Sequence, residues 1–108
     1  MSQAAPWRID VHQHVVPPQF VADTPLPMEA PDVETHLHTL DEFGIRAAVV
    51  SLTPRVMLKH PERRVSIARA CNEHQAGMIQ KHPDRFGAFA ILPLPDVDGA
   101  LKELEYSL

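Results

Sequence analysis

The spacing of apolar residues changes several times along the chain, and each change marks an element. In residues 7–13, Ile9 and Val11 alternate with Asp10, His12 and His14. That period of two sends successive side chains to opposite faces of a strand. Pro17 and Pro18 end it, and residues 19–31, with Pro25, Pro27 and Pro31, read as a loop. Over 32–43, Val33, Leu37, Leu40 and Phe43 recur at helical spacing, and Gly44 stands where a C-terminal cap belongs. Residues 45–52 are almost continuously apolar, the pattern of a strand buried on both faces, and Thr53 and Pro54 close it. A second helix is predicted over about 62–81, with Val65, Ala68, Cys71, Gln75, Met78 and Ile79 facing inward and Pro83 stopping it. A third strand spans 85–92, ended by Pro93 and Pro95. Asp96 then caps a last helix whose inward stripe is Val97, Leu101, Leu104 and Leu108.

The predicted order, β-α-β-α-β-α, calls for parallel strands joined by right-handed crossovers. A doubly wound sheet and a segment of a barrel both satisfy it. No Gly-x-Gly-x-x-Gly follows the first strand, where a dinucleotide-binding sheet would carry it. The chain also stops directly after an amphipathic helix, without a closing element.

With 108 residues there is room for one small domain. A net charge of −4 disfavours nucleic acid, which wants a basic stripe. No run approaches the roughly 20 apolar residues of a membrane span, and residues 1–6 lack the pattern of a signal peptide. One cysteine, Cys71, permits no internal disulfide. A cytoplasmic protein without nucleic-acid or membrane partners is the expectation.

Asp10-Val11-His12-Gln13-His14 carries the candidate chemistry. On a regular strand His12 and His14 point the same way, about 6.5–7 Å apart along the backbone. Their imidazoles then converge on one ion at the strand's C-terminal end, and imidazole suits zinc, iron or manganese. Strict alternation puts Asp10 on the same face, as a partner that orients a ligand. His36-Leu37-His38 is an internal control: two residues apart on a helix, its imidazoles diverge by about 200° and read as surface groups. His60, His74 and His82 read as surface or capping residues, and Cys71 as packing. Ser51, Thr53 and Arg55 follow the second strand and share the His12 end. Arg55 is a candidate for binding a substrate carboxylate, against the simpler reading of a solvated loop arginine.

Several segments together resemble one family. They are Ile9-Asp10-Val11-His12-Gln13-His14 with Pro17 and Pro18, Leu40-Asp41-Glu42-Phe43-Gly44-Ile45, Ala70-Cys71-Asn72-Glu73, His82-Pro83-Asp84-Arg85-Phe86-Gly87, and Leu92-Pro93-Leu94-Pro95-Asp96-Val97-Asp98. They are similar to the N-terminal part of the amidohydrolase-related (family 2) proteins, which include the aminocarboxymuconate semialdehyde and methylsalicylate-type decarboxylases. The resemblance implies a (β/α)8 barrel and a divalent metal, commonly zinc, with His12 and His14 as two ligands. The family's later ligands have no counterpart here. Such a barrel needs about 250 residues, so residues 1–108 represent three of eight β-α units and are expected to be inactive alone. The implied reaction is non-oxidative decarboxylation of a salicylate-like acid, a small carboxylic acid being the partner. Metal-dependent hydrolysis of a C–N or C–O bond is the alternative. Readings of another class are a catalytically inactive truncated chain or a module that self-associates, forming a homo-oligomer, through the open edge of its third strand.

Overall fold

The computed structural model describes residues 7–23, 32–52 and 55–108. Its strands form one parallel sheet in the order β1 (Ile9–His14), β2 (Ala47–Ser51), β3 (Phe86–Ala88). The helices are α1 (Val33–Glu42), α2 (Arg55–Lys59), α3 (Arg64–Lys81) and α4 (Val97–Ser107). Two 3₁₀ turns, Pro18–Asp23 and Pro61–Arg63, join them. The first occupies the start of the predicted 19–31 loop; the remainder of that loop, Thr53 and Pro54 lie outside the described residues. The α/β alternation and the parallel sheet are as the sequence predicts.

Local chemistry explains the helix ends. Asp32 accepts the Thr35 amide at 2.7 Å and starts α1. Gly44, at φ 66°, stops it. That left-handed residue lets its own amide reach Asp41 O (3.2 Å) and the Ile45 amide reach Leu40 O (2.8 Å), which satisfies the last carbonyls. Asp96 accepts the Gly99 amide at 2.9 Å and starts α4.

Two apolar clusters hold the sheet to its helices. Leu40, Ala48, Val50, Met78 and Phe86 fill the space between α1, α3 and one face of β2 and β3. Beyond the strands' C-terminal ends, Phe20, Leu52, Val56, Met57, Ile67, Cys71 and Ile91 form the second cluster. It ties together the segments that leave the sheet at the end where the candidate histidines lie.

Several expectations change. Strand β2 is fully buried on one face only: Ala48 and Val50 are inaccessible, while Ala47, Val49 and Ser51 are half-exposed. The third ladder covers 86–88 rather than 85–92, because β2 ends at Ser51: the Phe89 amide still reaches Val50 O (3.0 Å), and residues 90–91 run past the strand. There α3 supplies the missing partners. Gln75 Nε2 donates to Phe89 O (3.1 Å), and Asn72 takes both the Ile91 amide (2.6 Å) and its carbonyl (2.8 Å). Finally, α4 is rotated from the predicted stripe. Ala100 and Glu103 are buried and Leu104 is partly buried, whereas Val97, Leu101 and Leu108 of that stripe are exposed. Glu103 sits against α3, accepting from Arg69 Nε at 2.8 Å and Asn72 Nδ2 at 2.9 Å. The Arg69 guanidinium also stacks 3.5 Å from the centre of the Tyr106 ring. Val65, placed inward on α3 by its spacing, is exposed as well.

Candidate metal centre

Strand β1 is irregular where the chemistry lies. Asp10 pairs with Ala48 and Gln13 with Val50, so three steps along β1 match two along β2. This bulge resets the alternation. Asp10 and Gln13 fall on the face of the paired Ala48 and Val50, toward α1, and His14 pairs with Ser51 on the opposite face. The expectation that Asp10 shares the histidines' face is corrected: the extra residue in the bulge turns it away.

What Asp10 does instead is hold the backbone. Its Oδ1 accepts the His12 amide at 2.9 Å, and its Oδ2 accepts from Gln13 Nε2 at 2.9 Å. These two bonds, the His12 amide first, hold its carboxyl below the usual carboxylate range. Gln13 Oε1 in turn meets His36 Nε2 of α1 at 2.6 Å. His36 also stands edge-on to Phe86, with ring centres 5.8 Å apart. The sequence reading of His36 as a surface group is corrected, since it is half-buried, and burial lowers its pKa. His38 is exposed, and the two imidazoles of that helical pair do not act together.

His12 and His14 do come together. Their ring centres lie 5.1 Å apart with the planes at 86°. Two imidazoles sharing a tetrahedral ion at about 2.0–2.1 Å per nitrogen have ring centres about 5 Å apart, so the pair fits a divalent metal. Ser51 Oγ lies 3.3 Å from His14 Nδ1. A proton on Nδ1 donated to that hydroxyl leaves the Nε2 lone pair free for an ion, the usual arrangement of a ligating histidine. Among the described residues no group of three His, Cys, Asp or Glu gathers around one point, so the pair by itself is not a complete ligand set.

The other candidates separate cleanly. Arg55 is the first residue of α2, exposed, just beyond the C-terminal end of β2 and so at the end of the sheet where His14 lies. Cys71 is buried, and burial pushes its thiol up to about 12, which makes it packing. His82 caps α3 and stacks edge-on against Phe86. His74 is half-buried on α3, and His60 precedes the second 3₁₀ turn, 3.7 Å from Glu62. Sequence reasoning missed Gln13 and His36. The one available signal was the helical spacing that brings His36 onto the Val33–Leu40 side of α1.

No family model matches the chain. Over 74 residues, 67% of this chain, it is 42% identical to the gamma-resorcylate decarboxylase of Rhizobium sp. (strain MTP-10005), covering 23% of that protein. It superposes on 2,6-dihydroxybenzoate decarboxylase from Rhizobium with a TM-score of 0.75 and 32% identity, over 92% of this chain and 34% of that one. A dihydroxybenzoic acid decarboxylase from Polaromonas sp. JS666, solved with bound manganese and the inhibitor 2-nitroresorcinol, superposes with a TM-score of 0.64 and 25% identity, over 92% and 34%. The chain thus spans a quarter to a third of the length of these relatives. Among its described residues no helix is long and apolar enough to cross a membrane.

Proposed function

Because this chain is homologous to the dihydroxybenzoate decarboxylases, we propose that it is part of a metal-dependent, non-oxidative decarboxylase of a salicylate-like acid, to which it contributes the ligands His12 and His14. Residues 1–108 stand for three of the eight β-α units of a barrel. A divalent ion on these imidazoles, zinc or manganese, supplies a Lewis acid for the substrate's carboxylate and neighbouring oxygen. Asp10 holds the His12 backbone, and Ser51 Oγ is placed to accept a proton carried on His14 Nδ1. Arg55, at the same end of the sheet, offers a guanidinium to the carboxylate. Two imidazoles fall short of the three protein ligands of a typical catalytic zinc site, so these residues alone turn over no substrate. The single reduced thiol suits the cytoplasm.

The observation that carries this reading is the 5.1 Å His12–His14 pair in a chain with decarboxylase relatives. Calorimetric titration with Zn²⁺ and Mn²⁺ tests it. His12→Ala and His14→Ala are each expected to weaken binding at least tenfold, and His38→Ala to leave it unchanged. Equal binding by all four proteins overturns the half-site. Release of CO₂ from 2,6-dihydroxybenzoate by the 108-residue chain overturns its incompleteness.

A further inference from the structure

The bulge in β1 creates a problem that the surrounding residues solve. The His12 amide lies between the paired positions Asp10 and Gln13, and its partner is the Asp10 carboxylate rather than β2. A carboxylate tied at one oxygen only would swing. Its second oxygen is tied by Gln13 Nε2, and the remaining atom of that amide, Oε1, is tied by His36 Nε2.

The direction of every bond in this chain is determined. Ionised Asp10 only accepts, so Gln13 must turn its NH₂ toward it. Gln13 then presents its oxygen to α1, so His36 must carry its proton on Nε2. The His36 ring is oriented independently by its edge-on contact with Phe86 and by its half-buried place on α1. Gln13 is also the residue between the two candidate ligands. Its side chain is therefore anchored on the α1 face while the flanking imidazoles project from the other.

We infer that His36 and Gln13 are positioning residues, which through Asp10 hold the β1 bulge in the one shape that brings His12 and His14 to 5.1 Å. The inference rests on the half-site reading for its purpose, but its geometry stands without a metal.

Three measurements on the full chain test it. In the metal-free wild type, ¹⁵N shifts of His36 are expected to show the Nε2–H tautomer; the Nδ1–H tautomer overturns the relay. His36→Phe keeps a ring against Phe86 and removes the donor. It is expected to speed exchange of the His12 amide several-fold while the Val50 amide is unchanged, and equal His12 exchange overturns the inference. Gln13→Glu, which sets a carboxylate against Asp10, is expected to do the same and serves if His36→Phe fails to fold. Zn²⁺ affinity is expected to fall about tenfold in His36→Phe, the scale on which outer partners of metal ligands act, and to recover in His36→Gln, whose amide again offers a donor. Full affinity in His36→Phe counts against positioning. A wild type that binds neither Zn²⁺ nor Mn²⁺ overturns the half-site instead, and the relay then stands or falls on the tautomer and the His12 amide.

Discussion

Replacing Asn72 with alanine removes three hydrogen bonds at one stroke. The side chain is 8% exposed, and Ile91, whose backbone it satisfies, is 6% exposed. Its amide accepts the Ile91 N–H at 2.6 Å, donates to the Ile91 carbonyl at 2.8 Å and donates to Glu103 Oε1 at 2.9 Å. Each buried backbone group left dry costs about 1–3 kcal/mol. Glu103 keeps Arg69 at 2.8 Å, so its share is the smaller one. The sum is about 4 kcal/mol, a large part of the roughly 5–15 kcal/mol that holds a small domain together. With a urea slope of about 1–1.5 kcal/mol per molar, the midpoint should fall by about 3 M. The assay is urea unfolding followed by far-UV circular dichroism, with exposed Gln80→Ala on the same helix as the control. Asn72→Asp separates the two halves of the interaction. It keeps an acceptor for the Ile91 amide but loses both donors and sets a second carboxylate beside Glu103. A midpoint for Asn72→Ala within about 0.5 kcal/mol of the control, the usual range of surface changes, would refute the claim that this amide stands in for a strand.

Two further outcomes can be checked in the same way. A Cβ at Gly99 would come within 2.6 Å of Asp96 Oδ2; Gly99→Ala therefore gains up to about 1 kcal/mol of helix propensity and loses about as much in capping, for a net change near zero. In an Asp96→Ala background, where no cap remains to be lost, the same substitution should stabilise by up to about 1 kcal/mol, and equal effects in the two backgrounds would contradict the clash. Burial raises the Cys71 thiol from 9.0 to about 12, so the stability it confers is complete below pH 9 and is lost as pH rises toward 12, at up to about 1.4 kcal/mol per pH unit. Cys71→Ala should flatten that part of the pH profile, and a thiol reagent at pH 8 should label the wild type only as fast as it unfolds; rapid labelling of the folded chain would count against a sealed thiol.

Features decided within a turn or two of chain were legible in the sequence. Asp96 and Gly44 each act on backbone groups a few residues away, and each does what its position predicts; Asp32, read as the first residue of its helix, is that helix's cap. The alternation of strands and helices was legible for the same reason. The face of Asp10 was not, because parity along β1 depends on its pairing with β2, and the bulge sits inside that pairing. The His12 and His14 rings still meet, 5.1 Å apart, although His12 lies within the bulge and His14 just beyond it. The length of the third strand depended on where β2 ends, which residues 85–92 do not encode. Helix α2, at five residues, is too short for a period to show. The phase of α4 was misread because Val97 and Leu101 look inward by hydrophobicity, whereas the decision lies with Arg69 and Asn72, 34 and 31 residues before Glu103.

That last feature has a consequence for how uniquely the chain folds. Helix α4 has eleven residues and two sides on which it can lie: one rich in leucine and one carrying Glu103. Burying leucine is the more obvious gain, but it would swing Glu103 away from Arg69 and Asn72 and leave both without it. The carboxylate therefore sets the rotational phase of the helix, as a buried polar residue sets register in a coiled coil. Substituting leucine at position 103 would fill the seam with apolar volume and at the same time make the two phases nearly equal in energy. The expected cost is a helix that occupies several orientations, seen as multiple or broadened resonances along α4, in a chain whose overall stability has changed far less.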